Sequence, residues 1–120
     1  MKHIGRPFTH FDFSKVSIED FFWMVGIIEG EGCFAWSSSG RKYWPKITVN
    51  MTDEDIIAKF AGFIDRKYFR RPARPPSIKD CYVTSVVGTP AAELMEKLFP
   101  YMGRRRQTKI QEILNKFKPS

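Results

Sequence analysis

Phe21-Phe22-Trp23-Met24-Val25-Gly26-Ile27-Ile28-Glu29-Gly30-Glu31-Gly32 is the stretch on which the fold turns. Its first eight residues are apolar on every side of a helix, so such a helix must be covered all round. One side can lie on the chain's own sheet; the other needs a second partner. Gly26 and Gly30 stand one helical turn apart on the same face. Each costs about 0.8–1.0 kcal/mol relative to Ala in a helix interior. The compensation is close approach of another backbone, which suits a helix packing on its own copy about a two-fold axis.

Glu29 and Glu31 then fall where this helix ends. That end carries partial negative charge, so each carboxylate is disfavoured there by a few tenths to about 1 kcal/mol. A divalent cation reverses the sign, because carboxylate oxygens and exposed carbonyls are what Mg²⁺ binds. The plainer reading of the same residues is a buried helix with solvated acids and a glycine stop.

Outward from this segment the pattern is regular. Ser17-Ile18-Glu19-Asp20 resembles a capping box that opens the helix. Cys33–Ser39 reads as a strand, with Phe34 and Trp36 on one face and Ala35, Ser37 and Ser39 on the other. Gly40-Arg41-Lys42 is a turn, and Tyr43–Met51 returns with Ile47, Val49 and Met51 alternating with Lys46, Thr48 and Asn50. Thr52-Asp53-Glu54-Asp55 caps a second helix whose stripe is Ile56, Ile57, Phe60, Phe63 and Ile64. A short strand near Tyr68–Arg71 precedes a loop around Pro72, Pro75 and Pro76. Asp80–Val87 is a further strand, with Val83, Ser85 and Val87 opposing Tyr82, Thr84 and Val86. Thr89-Pro90 starts a third helix, with Leu94, Met95, Leu98 and Phe99 as its stripe. The last helix runs from about Arg104 to Lys116, with Ile110, Ile113, Leu114 and Phe117 on one face. The order is αββαββαα, an α+β chain. Residues 1–16 form an N-terminal arm and 17–120 a single domain.

Composition narrows the function. Twenty Lys and Arg against 13 Asp and Glu leave a net charge of +7, which attracts polyanions, nucleic acid first. Cys33 and Cys81 read as buried thiols of a reducing compartment. They and the two histidines of the arm, His3 and His10, make no zinc spacing. No apolar run follows the basic N-terminal residues, so no signal peptide is expected. The stretch 21–28 is too short to span a bilayer. The expectation is a soluble intracellular protein, of the cytoplasm or nucleoid or of an organelle.

Met24-Val25-Gly26-Ile27-Ile28-Glu29-Gly30-Glu31-Gly32 is similar to the LAGLIDADG motif, in the variant with glycine between the two acids. Phe34, the run Asn50-Met51-Thr52-Asp53-Glu54-Asp55 and the cluster Arg104-Arg105-Arg106 extend the resemblance to the homing endonucleases over roughly residues 17–117. The departures are Glu for Asp at both acids and Met-Val for Leu-Ala. The resemblance implies a homing-endonuclease fold with a saddle-shaped antiparallel sheet. It also implies motif helices paired across a homodimer, with Met24, Gly26, Ile27, Glu29 and Gly30 at the interface. Glu31 is then the catalytic metal ligand, with Gly30 beside it, and Mg²⁺ or another divalent cation is the cofactor.

On such a sheet the alternation nominates Ala35, Ser37, Ser39 and Arg41, then Lys46, Thr48 and Asn50, then Tyr82 and Thr84, to face base edges. Lys42 with Arg41 at the turn, and the run Arg66, Lys67, Arg70, Arg71, Arg74 and Lys79, would meet phosphates. Arg104, Arg105 and Arg106 place three cations at a helix start, where positive charge is disfavoured and an anion relieves it. In the resembling enzymes a basic residue near this point lies by the scissile phosphate, which makes Arg105 or Arg104 the candidate. No Ser, Cys or His constellation is present, so the nucleophile would be water. The reading is metal-dependent hydrolysis of double-stranded DNA at a long, roughly palindromic site. Its rivals are a non-cleaving DNA-binding regulator or RNA-splicing maturase on the same fold, and a basic protein-interaction module.

Overall fold

The structure, a computed structural model, describes residues 10–39, 42–76 and 78–117, with the backbone alone for Ser39. The elements are α1 (Ile18–Glu31), β1 (Gly32–Ser39), β2 (Lys42–Met51), α2 (Glu54–Ile64), β3 (Tyr68–Arg71), β4 (Cys81–Val87), α3 (Thr89–Leu98) and α4 (Arg104–Lys116). The αββαββαα order is therefore present. The strands form one antiparallel sheet in the order β1-β2-β4-β3. Of the expected arm, residues 1–9 lie outside the described residues, as do Gly40 and Arg41 of the turn; Lys42 already belongs to β2.

The chain divides into two compact units. One draws on residues 12–33 and 48–86. Here α1 starts on the cap the sequence predicts, with Asp20 N–H donating to Ser17 Oγ at 3.1 Å. Phe21, Met24 and Ile28, spaced three and four apart, are its buried row. Gly32 ends it because only glycine fits: a Cβ there would stand 2.7 Å from the Ile28 carbonyl oxygen, the atom that receives the Gly32 N–H. On α2, Ile57, Phe60, Ala61 and Ile64 are buried, and Phe63 meets the Trp23 ring edge-on at 5.8 Å between centroids. Lys59 lies over the same indole, 4.4 Å from its centre, a cation–π contact.

The end of α2 is a Schellman turn built on Asp65 rather than glycine. Asp65 is left-handed (φ 57°, ψ 49°), and Arg66 N–H donates to the Ala61 carbonyl at 3.0 Å. That conformation costs a Cβ-bearing residue roughly 1–2 kcal/mol, against roughly 0.5–1 kcal/mol of extra chain entropy for glycine. Asp65→Gly is therefore expected to stabilise the fold by about 0.5–1 kcal/mol. A higher urea midpoint at unchanged slope is the reading that checks it.

The other unit draws on residues 34–47 and 87–117, with His10 and Phe11. Its buried residues include Phe34, Ile47, Leu94, Met95, Leu98, Met102, Ile110 and Ile113. The stripes read from α3 and α4 are the buried ones, with Phe99, Leu114 and Phe117 half-buried at their margins. Gly88 precedes α3 at φ 90°, ψ −150°, a conformation open to glycine, and its N–H donates to the Pro45 carbonyl at 2.8 Å. Glu93 on α3 anchors the approach from the arm: it accepts the Phe11 N–H at 2.7 Å and meets His10 Nδ1.

The cysteines correct the sequence reading. Cys33 is exposed, Cys81 is half-buried, and neither forms a disulfide. Each sits at the start of a strand, Cys33 second in β1 and Cys81 first in β4. Among the described residues, no helix is long and apolar enough to cross a membrane.

Candidate functional site

Glu31 is the last residue of α1, and its side chain is exposed. No basic residue occupies the last turn, so nothing on the helix itself offsets the negative pole. Glu29 and Gly30 are exposed beside it. The same side of α1 continues backward through Gly26 and Phe22 to Ile18, steps of four residues that keep one face. Ile18 is 69% exposed and Phe22 44%, large values for apolar side chains. A Cβ at Gly26 or Gly30 would meet nothing within 4 Å. This face is open, apolar and notched.

Met24 does not belong to it. It has no exposure at all, because it lies on the inward row with Phe21 and Ile28. A helix apolar on every side gives no periodic clue to which side is outward, and the interface expectation for Met24 is corrected on that ground. Phe22 and Ile18 are the exposed large apolar residues of this face instead, and counting back in fours from Gly26 finds them. Ile27 is half-buried.

Arg104 and Arg105 are exposed in the first turn of α4, which has no acidic residue and no side-chain cap at Gly103. Arg106 turns inward, half-buried, with its guanidinium 6.0 Å from the centre of the Phe34 ring. Glu31 belongs to one compact unit and the two arginines to the other.

The strands present their alternate residues as follows. Val49 is buried, while Thr48 and Asn50 are half-buried on the opposite parity. In the other unit Ser37 and Lys46 are half-buried, and Lys42 is exposed with its ammonium 5.9 Å from the Trp44 ring centre. The Ser39 side chain and all of Arg41 lie outside the described residues.

On β4 the expected facing is reversed. Thr84 is 2% exposed, and its hydroxyl donates to the Lys67 carbonyl at 2.9 Å. Tyr82 shares its parity and stacks edge-on with Tyr68, whose hydroxyl donates to Glu54 at the start of α2. That bond holds the Tyr68 proton and raises its phenol above the ordinary 10.0. Tyr82 and Thr84 therefore face the helix, not the open side. Valines at 83, 86 and 87 fall on both parities, so the apolar pattern alone does not choose, and a threonine accepts burial once its hydroxyl is satisfied. The open side carries Val83 and Ser85, with Phe69 paired across to Val83 and Arg71 across to Cys81.

The basic stretch after α2 is divided in its roles. Arg66 turns back on the helix end, donating to the Asp65 carbonyl at 2.9 Å. Arg70 is paired with Asp80 at 2.8 Å. Lys67, Arg71, Arg74 and Lys79 are exposed. Asp80 also accepts the Ala73 N–H at 2.8 Å, and that bond first, then Arg70, holds its carboxyl below the ordinary 3.8. A depressed native value means the clamp is complete above the ordinary range and is lost as pH falls through the native value. Asp80→Asn is thus expected to flatten the acid limb of stability, leaving its slope above about pH 5 unchanged; unfolding midpoints across acid pH report it.

Among the described residues of one chain, no three His, Cys, Asp or Glu side chains gather as a metal site. Glu31 and the Gly30 carbonyl could supply two hard oxygen donors to a divalent cation, fewer than the six a full shell takes.

No family model and no curated protein matches the chain. Solved structures do. The homing endonuclease I-CvuI in complex with its target in the presence of Ca is 21% identical, TM-score 0.57, over 79% of this chain and 63% of that one. I-CvuI with the I-CreI target in the presence of Mg, its DNA not cleaved, is 20% identical, TM-score 0.58, over 87% and 68%. The fold is that of the homing endonucleases. The archaeal intron-encoded homing endonuclease I-Vdi141I complexed with DNA agrees, at 16% identity, TM-score 0.58, over 79% and 66%. At these identities the likeness is one of fold, and the chain spans 63–68% of these three chains. The α+β class and the strand and helix order expected of a homing-endonuclease fold are both present.

Proposed function

We propose that this chain is a homodimeric, metal-dependent, site-specific endonuclease of double-stranded DNA, of the LAGLIDADG type. The observation that carries the reading is the exposed face of α1, apolar and glycine-notched from Ile18 to Gly30 and ending in Glu31. An apolar face of that kind asks for a cover, and a second copy supplies one by two-fold symmetry. Pairing at Gly26 and Gly30 would bring two Glu31 carboxylates and two Gly30 carbonyls together, four hard donors that DNA phosphate oxygens and water would bring to six. The solved homing endonucleases of this fold are DNA complexes, two of them with Ca or Mg present, and the net charge of +7 suits the same partner.

In this reading Glu31 and the Gly30 carbonyl hold the cation against the DNA backbone. The bound cation supplies Lewis acidity toward the scissile phosphodiester. Arg104 or Arg105, exposed and free of acidic neighbours in its own turn, meets phosphate charge. Ser37, Lys46, Thr48 and Asn50 line the strands that address the bases, Lys42, Lys67, Arg71, Arg74 and Lys79 meet flanking phosphates, and the symmetry of the pair makes the site roughly palindromic.

The test is a randomised duplex library incubated with the protein in Mg²⁺ and, separately, in EDTA. Recovery of a common cut sequence in Mg²⁺ alone supports the endonuclease. Salt-sensitive duplex binding with no cut in Mg²⁺ leaves a non-cleaving DNA-binding protein. The absence of duplex binding ends the nucleic-acid reading altogether.

A further inference from the structure

The open face of β3 and β4 carries a feature that phosphate binding does not explain. Phe69 is 64% exposed in the middle of edge strand β3, and its cross-strand partner is Val83. The two form an apolar pair on a face that also carries Arg71, Cys81 and Ser85. An open groove of about 320 Å³ runs beside it, lined by Arg66, Lys67, Phe69, Val83, Thr84 and Ser85. An exposed edge-strand phenylalanine is a liability that folding does not require. Its neighbours decide the partner. Lys67 and Arg71 are exposed on either side of it in sequence, so the occupant is anionic around its rim and apolar at its centre.

Duplex DNA offers that combination in one place. In the major groove each thymine presents a 5-methyl group, the one apolar element on the base edges, within reach of flanking phosphates. The geometry points to Phe69, with Val83, as the residue that reads a thymine methyl in each half-site. Arg71, two residues along on the same face of β3, takes the adjacent phosphate or guanine edge. This inference rests on the DNA reading above and specifies one position of the target. It names a positional preference rather than a part of the cleavage machinery, since Phe69 is remote in sequence from the Glu31 end of α1.

The test uses the whole chain and duplexes recovered from a randomised library in Ca²⁺ or EDTA. Each thymine of the selected site is replaced, one at a time, by deoxyuridine, which removes the methyl group and nothing else. One symmetry-related pair of thymines is expected to show a loss of affinity of about fourfold per methyl, the value of one buried methylene-sized group. Phe69→Ser should abolish that difference while still binding duplex, and Phe69→Leu, which keeps an apolar side chain, should preserve it. If no thymine is sensitive, or if the sensitivity survives Phe69→Ser, the inference is overturned and the DNA reading stands. Tighter binding to single strands with no methyl effect overturns it too, since stacking on a ring is indifferent to the methyl. Failure to recover any duplex removes the DNA reading and this inference together.

Discussion

Glu31→Gln is expected to lower the rate of DNA cleavage by at least about 1,000-fold, roughly 4 kcal/mol of transition-state stabilisation at 1.36 kcal/mol per decade. The substitution keeps size and shape and removes only the charge proposed to hold the cation. Because Glu31 is exposed at the helix end, no packing is lost with it. Binding should move the other way. Without metal, a carboxylate facing phosphates is a like-charge contact, so in EDTA the variant is expected to bind duplex as well as wild type or better. The sign of that pair of measurements matters more than either alone. Equal cleavage by wild type and variant removes Glu31 from the reaction, and a parallel loss of binding recasts it as a structural residue.

The second large effect concerns Gly26. In a lone chain, Gly26→Ala is a gain of about 0.8–1.0 kcal/mol of helix propensity, with nothing nearby for the new methyl group to strike. In a dimer paired along that face the methyl groups of two copies push the helices apart, and symmetry counts every clash twice. Gly26→Ala is expected to raise thermal stability of the monomeric form while weakening self-association about tenfold, or 1.4 kcal/mol. Gly26→Leu should leave a folded monomer with little cleavage activity. Sedimentation of the two variants against wild type reads this directly. A wild-type chain that is monomeric at all concentrations and still cuts both strands would sink the pairing.

The sequence made the architecture legible because most elements announce both their ends. Ser17 caps α1, Pro90 opens α3, and β3 lies between α2 and the proline loop with the bounds expected of it. The site was legible as a set of residues and less so as a set of directions. α1 is apolar on every side, so period alone could not separate Met24, which is inside, from Phe22, which is outside. β4 carries valine on both parities, so its apolar pattern does not show that Thr84 faces inward, its hydroxyl satisfied by the Lys67 carbonyl. Arg70 and Arg66 read as free cations, because nothing local marks Asp80, ten residues on, as the partner of the first, or a helix end as the acceptor for the second. Facing and pairing are long-range properties, and a one-dimensional pattern reports them only where one parity is plainly polar.

The strand alternation of β2, β3 and β4 separates two kinds of obligation. Val49, Thr84 and Val86 answer to the interior; Thr48, Asn50, Val83 and Ser85 answer to whatever lies against the sheet. Exchanges in the second set fall in the class that typically shifts stability by no more than about 0.5 kcal/mol. A lineage of such chains can therefore change what its sheet meets without passing through an unfolded ancestor.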